Sequence, residues 1–174
     1  IIRAVEKWTG RGHLQRVYDE IYAEPGGPDP FSVWGKGLEK LGVKMDYDFE
    51  KLEQTPREGP LIFIANHPFG IVDGAMLLHL VTRVRKDYFL LINEVISHEP
   101  FLRDHLLPVD FRKGQSAKEK NLRSRRRATE RLHAGETLVI FPAGGIATAK
   151  KPWGKAEELP WKRFIGRRIH ETRC

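Results

Sequence analysis

Hydrophobic residues in the N-terminal part of the chain recur every three to four positions, a spacing typical of amphipathic helices. The pattern predicts one helix over residues 14–22 and a second over residues 31–41, which ends at Gly42. In residues 43–49 the period shortens to two, because every second residue is apolar. This alternation predicts a half-buried strand.

From residue 60 onward, short apolar segments alternate with helical ones. Strands are predicted at residues 61–65, 88–92 and 137–141 and in "LLPVDF", and helices at residues 74–85, 97–105, 116–133 and 161–170. This alternation favours an α/β layered fold with a largely parallel central sheet flanked by helices. We expect residues 1–42 to form a helical segment packed on an α/β domain of residues 43–174, shortened at its C-terminus.

The charge balance of the 174-residue chain is basic. It contains 30 Lys and Arg against 23 Asp and Glu, a formal net charge of +7, which favours an anionic partner such as nucleic acid, an anionic membrane, a phosphorylated molecule or an acidic carrier protein. No apolar run approaches the roughly 20 residues of a membrane-spanning helix. The single cysteine, Cys174, cannot form a disulfide within the chain, which fits a reducing compartment.

The junction "NHPFGIVD" between the strand at 61–65 and the following helix carries candidate catalytic residues. The imidazole of His67 can act as a general base near neutral pH, and a carboxylate such as that of Asp73 would fix its tautomer. Pro68 and Gly70 allow the sharp turn that brings Asp73 back to His67. Alternatively, Asp73 caps the helix and His67 is a hydrogen-bonded loop residue, since the spacing alone does not decide.

Other catalytic centres lack their characteristic residues. The chain has no "GxSxG" elbow, its only cysteine is the last residue, and its histidines show no metal-ligand spacing, so we expect no bound metal. A His–Asp pair without its own nucleophile most naturally activates a hydroxyl group supplied by a substrate.

Two further segments at predicted strand ends suit an anion. In "FPAGGIATA", Gly144 and Gly145 could form a concavity of backbone N–H groups, with Lys150 nearby. In "PVDFRKG", Arg112 and Lys113 could bind an anion by charge. Each has a simpler interpretation, a tight glycine turn in the first case and solvated surface charges in the second. In parallel sheets, however, ligands bind at the carboxyl ends of strands.

The three segments together resemble the sequence blocks of the PlsC-like glycerolipid and lysophospholipid acyltransferases, in particular the hemolysin-like branch. "NHPFGIVD" resembles the NHxxxxxD signature, "FPAGGIAT" the later FPEGTRS block, and "VDFRKG" lies where the arginine block belongs, so that the resemblance covers residues 60–149. It implies transfer of a fatty acyl group from an acyl carrier protein or coenzyme A thioester to a lysolipid hydroxyl. The acceptor would be 1-acylglycerol-3-phosphate or a lyso-aminolipid. No cofactor beyond the thioester co-substrate is expected.

The resemblance also implies residue roles. His67 would be the general base and Asp73 its orienting partner. The residues that would bind the acceptor are Asn66, Arg112, Lys113, Phe141, Pro142, Gly144 and Gly145. The chain departs from the family at Ala143, which replaces a glutamate, and in Gly-Ile-Ala, which replaces Thr-Arg-Ser. Because the lost glutamate would repel an anion, we expect a pocket that accepts a bulkier or differently charged head group.

The basic run at residues 113–131 leaves other functions open. It could bind nucleic acid, although no aromatic stacking platform or known nucleic-acid motif accompanies it. It could equally dock an acidic carrier protein or an anionic bilayer, or be a solvated helix face. A catalytically inactive, lipid-binding domain of the same family is a further alternative.

For an enzyme with a lipid acceptor, we expect a cytoplasmic protein peripheral on the inner face of the membrane. The candidate apolar contacts are Leu14, Val17 and Ile21, with Trp153 or Trp161, although packing in the core is the favoured interpretation of the first three.

Overall fold

The computed structural model describes residues 11–94, 99–151, 153–162 and 166. The N-terminal part forms two helices, α1 (Arg11–Ala23) and α2 (Val33–Lys40), close to the predicted positions. A short helix, α3 (Phe49–Glu53), precedes the sheet.

The prediction of a strand at residues 43–49 is wrong. Residues 43–48 are irregular and lead directly into α3. The Asp48 carboxylate accepts a hydrogen bond from the backbone N–H of Lys51 at 3.0 Å, which caps the helix and ends the extended stretch. The first residue of α3, Phe49, remains half exposed, with the Arg83 guanidinium over its ring.

Four strands form a parallel sheet, in agreement with the predicted α/β layered fold. They are β1 (Leu61–Ile64), β2 (Tyr88–Asn93), β3 (Leu106–Val109) and β4 (Thr137–Ile140), arranged in the order β1-β4-β2-β3. The last strand in sequence therefore lies between the first and the second. Thr137, the first residue of β4, is paired with Leu61 of β1 on one side and with Tyr88 of β2 on the other.

Helices connect the strands. Helix α4 (Ile71–Val84) joins β1 to β2, a 3₁₀ helix (Pro100–His105) joins β2 to β3, and α5 (Gln115–His133) joins β3 to β4. A small antiparallel hairpin follows, made of β5 (Thr148–Ala149) and β6 (Ala156–Glu157). The helix predicted at residues 161–170 lies largely outside the described residues.

The two faces of the sheet carry separate hydrophobic clusters, as the period-two alternation of strand side chains requires. Tyr88 and Leu90 point to the face covered by α4, where Phe31 and Trp34 of the N-terminal segment also pack. Phe89 points to the opposite face, against Leu132 of α5. Burial raises the pKa of Tyr88 to about 12, and its hydroxyl donates to the carbonyl of Pro30. The N-terminal segment is thus tied to the sheet.

A buried arginine fixes the amino end of the sheet. The Arg85 guanidinium donates to the carbonyls of Gly59 and Gly135 at 2.9 and 2.8 Å and pairs with Asp87 at 2.6 Å. These three partners lie just before β1, β4 and β2 respectively. The contacts align the strand starts, and with them the carboxyl ends where the candidate site lies.

Within the part of the chain that the structure describes, no helix is long and apolar enough to cross a membrane. Val17 and Ile21 are each 6% exposed and pack in the core, the favoured of the two interpretations of these residues, and they do not offer a surface to lipid. Trp153 and Trp161 are exposed.

Candidate active site

The first and third sequence blocks meet at the carboxyl edge of the sheet. His67 follows β1 and Phe141 follows β4, and these strands are neighbours. The imidazole of His67 stacks on the ring of Phe141, with the ring centroids 3.9 Å apart and the planes at 13°. The backbone N–H of Ala147 donates to the carbonyl of His67 at 2.9 Å. Residues 141–149, which we call the glycine loop, are therefore joined to the histidine through both backbone and side chain.

Asp73 contacts the edge of the imidazole ring at Nδ1. Its Oδ2 lies 3.2 Å from Nδ1 of His67 and also accepts hydrogen bonds from the backbone N–H groups of Phe69 and Gly70, at 2.6 and 2.9 Å. The last two bonds cap the start of α4. Capping and histidine contact, which the sequence left as alternatives, thus occur together on one carboxylate oxygen.

This arrangement holds the imidazole in one orientation and one tautomer. Because Nδ1 faces Asp73, it carries the N–H in the neutral ring, and Nε2 is left to accept a proton. Phe141 covers one ring face, and the His67 side chain retains 18% exposure, against 9% for Asp73. The ring is held in place yet accessible to a substrate.

A left-handed glycine makes the turn possible. Gly70 has a φ of 75°, which a residue with a side chain rarely adopts. A Cβ added there would also lie 3.1 Å from Cδ1 of Ile146 in the glycine loop. Glycine at this position therefore lets the loop pack against the turn that carries Asp73.

The glycine loop is itself a tight turn. Gly144 has a φ of 70°, and its N–H donates to the carbonyl of Phe141 at 3.0 Å. Pro142 and Ala143 are buried, with Ala143 at 0% exposure, and Gly145 is partly buried. The methyl group of Ala143 therefore contacts protein and does not line an open pocket, so the structure gives no support to the expectation that this position enlarges a head-group site.

Arg112 occupies a different part of the edge. Its guanidinium binds the buried Asp110 through Nε and Nη2, at 2.9 and 2.6 Å, and Nη2 also lies 3.1 Å from Glu94. The guanidinium holds the pKa of the Asp110 carboxyl well below its usual range. Because β4 and β2 lie between β1 and β3, the strands that precede His67 and Arg112 are separated by three spacings, roughly 14 Å.

The remaining predicted residues lie on the surface of this edge. Asn66 follows β1 and Lys113 follows Arg112, and both are exposed. Lys150, beyond the glycine loop, pairs with Glu157 at 2.8 Å across the small hairpin. Among the described residues, no group of three His, Cys, Asp or Glu side chains could hold a metal ion.

Residues 158–162, which we call the strap, were not predicted as part of the site. The Glu158 carboxylate accepts the backbone N–H of His67 at 3.2 Å. Leu159 packs over Gly145, since a Cβ added there would lie 3.2 Å from its Cδ1. The backbone N–H of Lys162 donates to the carbonyl of Pro142 at 3.1 Å. No local motif in "ELPWK" signals these contacts, which join segments far apart in sequence.

Comparison with known proteins identifies the family. A family model described as "Acyltransferase" matches residues 35–173, most of the chain and all of the site. The chain belongs to this acyltransferase family. The resemblance drawn from the three blocks, to acyltransferases of the PlsC-like type, is confirmed.

Two curated relatives carry the same name. A lyso-glycine lipid O-acyltransferase of Phocaeicola vulgatus is 25% identical over 137 residues, which cover 78% of this chain and 46% of the relative. Another, of Bacteroides thetaiotaomicron, is 25% identical over 138 residues, with 78% and 47% covered. The chain spans about half the length of these relatives.

Proposed function

We propose that this acyltransferase moves a fatty acyl group from a thioester to the hydroxyl group of a lysolipid. The observation that carries the proposal is the His67–Asp73 pair. It lies at the carboxyl edge of the sheet, with Nδ1 held by the carboxylate and Nε2 left for a substrate. Membership of the family favours this function over a nucleic-acid-binding module.

In the proposed reaction, Nε2 of His67 takes the proton of the acceptor hydroxyl as its oxygen attacks the thioester carbonyl carbon. The new C–O bond forms, the C–S bond breaks, and the leaving thiolate takes the proton from the imidazolium. Asp73 stabilises the imidazolium and holds its tautomer. The acyl donor, coenzyme A or acyl carrier protein, is a co-substrate, and no other cofactor is required.

We propose an acceptor with an anionic head group. The names of the two relatives favour a lyso-glycine lipid, whose head carries a carboxylate, as the first candidate. The sequence blocks favour 1-acylglycerol-3-phosphate, which we place second. Both acceptors offer a hydroxyl group for acylation, and they differ in the anion.

We also propose that the carboxyl edge lies against a membrane, at its inner face. Large apolar side chains are exposed beside His67, with Phe69 at 77%, Ile71 at 67% and Ile146 at 47%. A lipid acceptor would enter the site from such a surface without crossing water. Exposed cations of α5 would add attraction to anionic lipid.

The test is acyl transfer with the purified chain. Labelled acyl-coenzyme A and acyl carrier protein would each be offered with lyso-glycine lipid or with 1-acylglycerol-3-phosphate, and the ester product identified by mass spectrometry. We expect His67→Ala to lower the rate at least about 10²-fold, the usual contribution of a positioned base. His133→Ala, at an exposed position at the end of α5, is the matched control and should be unaffected. A folded His67→Ala protein with a near-normal rate would refute the proposal.

A further inference from the structure

The strap places a lysine over the glycine loop. An added Cβ on Gly144 would lie 2.6 Å from the ammonium nitrogen of Lys162, and that nitrogen also lies 5.5 Å from the centre of the Phe111 ring. We infer that Lys162 binds the anionic group of the acceptor's head, a carboxylate or a phosphate. This inference rests on the proposed function and names a binding residue outside the three sequence blocks.

Two other cations at this edge, Arg112 and Lys150, already have carboxylate partners. Arg112 is held by Asp110 and Glu94, and Lys150 by Glu157. For Lys162, the described part of the chain supplies no carboxylate within ion-pair distance, and its ammonium rests instead near an aromatic face. The positive charge of Lys162 is therefore available to attract an anionic ligand, whereas that of Arg112 is balanced by its two carboxylates.

The backbone of the strap ties Lys162 to the loop that contacts His67. The N–H of Lys162 is bonded to the carbonyl of Pro142, the residue that follows Phe141. Phe141 in turn stacks on His67, and Glu158, at the start of the strap, is bonded to the backbone of His67. A head group bound by Lys162 would therefore lie against the glycine loop, which contacts His67 through Phe141.

The lysine also replaces a charge that the loop lacks. Ile146 stands where the related block carries an arginine, so the loop "FPAGGIAT" contains no cation. Lys162 brings a positive charge to the same loop from a later segment. An ammonium is a compact charge without the forked geometry of a guanidinium, so it accepts carboxylate or phosphate.

Binding of short lipid analogues tests the inference independently of turnover. The probes are N-dodecanoylglycine, dodecyl phosphate and the uncharged methyl ester of N-dodecanoylglycine, below their micelle concentrations, measured by calorimetry. Lys162→Met should raise Kd for the two anions about 5- to 10-fold, the loss of a charge-assisted contact at an exposed site. It should leave Kd for the ester unchanged. Lys162→Arg should stay close to wild type.

Lys155→Met, which removes an exposed lysine near the hairpin, is the matched control and should bind all three probes like wild type. In the acyl-transfer assay, Lys162→Met should raise KM for the acceptor and leave donor KM and kcat nearly unchanged. The anionic probe with the lower Kd indicates whether the natural head group is a carboxylate or a phosphate.

The outcomes separate the two proposals. A wild-type protein that binds the ester as tightly as the acid, or binds neither anion, overturns the role of Lys162. So does an active enzyme whose acceptor KM is unchanged by Lys162→Met. Binding of an anion that depends on Lys162, without any acyl transfer, would support the anion site and refute the proposed function.

Discussion

Asp73 both caps a helix and contacts the histidine, and one substitution can separate the two roles. In Asp73→Asn the side-chain oxygen can still accept the N–H groups of Phe69 and Gly70, which Oδ2 accepts at 2.6 and 2.9 Å. Asp73 is the third residue of α4 and bonds the backbone of the N-cap residue Gly70, as in a capping box, and asparagine can make the same contact. The variant loses the negative charge next to Nδ1 of His67, however, and with it the stabilisation of the imidazolium.

The two effects differ in size. The removal of a cap by Asp73→Ala should cost about 1 kcal/mol, which lowers Tm by about 2–4 °C in a chain of this length. With an unfolding free energy of roughly 5–15 kcal/mol, such a loss leaves more than about 99% of the protein folded at 25 °C. The loss of imidazolium stabilisation should lower kcat by at least about 10²-fold, or about 3 kcal/mol in activation free energy.

The assay combines thermal unfolding with acyl transfer in three variants. Asp73→Asn should keep Tm close to wild type and lose kcat, while Asp73→Ala should lose both. Asp48→Ala is the matched control, since Asp48 caps α3 through the backbone N–H of Lys51 and has no catalytic neighbour: it should lower Tm and leave kcat unchanged. If Asp73→Asn retains wild-type kcat, the carboxylate is only a cap and the reasoning is refuted.

Two other predictions concern charge. Because Arg112 lowers the pKa of Asp110, their pair contributes stability that is fully present above the ordinary aspartate pKa of about 3.9 and is lost as pH falls below it. Arg112→Ala should therefore be less stable than wild type at pH 7, with a Tm that falls less between pH 5 and pH 2. If this arginine also binds the acceptor, the same variant should raise acceptor KM with donor KM unchanged. For the membrane, wild type should sediment with anionic vesicles at low salt and less at high salt, and Ile71→Asp should weaken sedimentation at both. Binding that ignores salt and lipid charge would contradict the electrostatic part.

The sheet and its long helices could be predicted because their signals are local. Runs such as residues 138–140 are wholly apolar, as is typical of strands buried on both faces, and residues 115–133 keep a helical periodicity despite their many charges. The prediction of a strand at residues 43–49 was wrong because alternation alone does not supply a neighbouring strand. Asp48 offers the backbone a helix cap there, a local preference that the apolar pattern does not reveal.

The candidate site could be predicted only in part. The pairing of His67 with Asp73 is local, and its residues stand within one turn. Its contact with Phe141 depends on β4 lying beside β1, an order that periodicity does not encode. The strap depends on contacts such as that of Glu158 with His67, 91 residues apart, for which no local motif exists.

Strand order also divides the edge into two halves. One half follows β1 and β4, where His67 stacks on Phe141, whereas the other follows β2 and β3 and holds the paired charges of Glu94 and Arg112. Lys162 joins them, because it is bonded to the loop after β4 while its ammonium faces the ring of Phe111 after β3. Substitutions of His67 or Asp73 should therefore change kcat, whereas Lys162→Met should change acceptor KM. A large effect of Lys162→Met on kcat would show that the two halves of the edge are not separable.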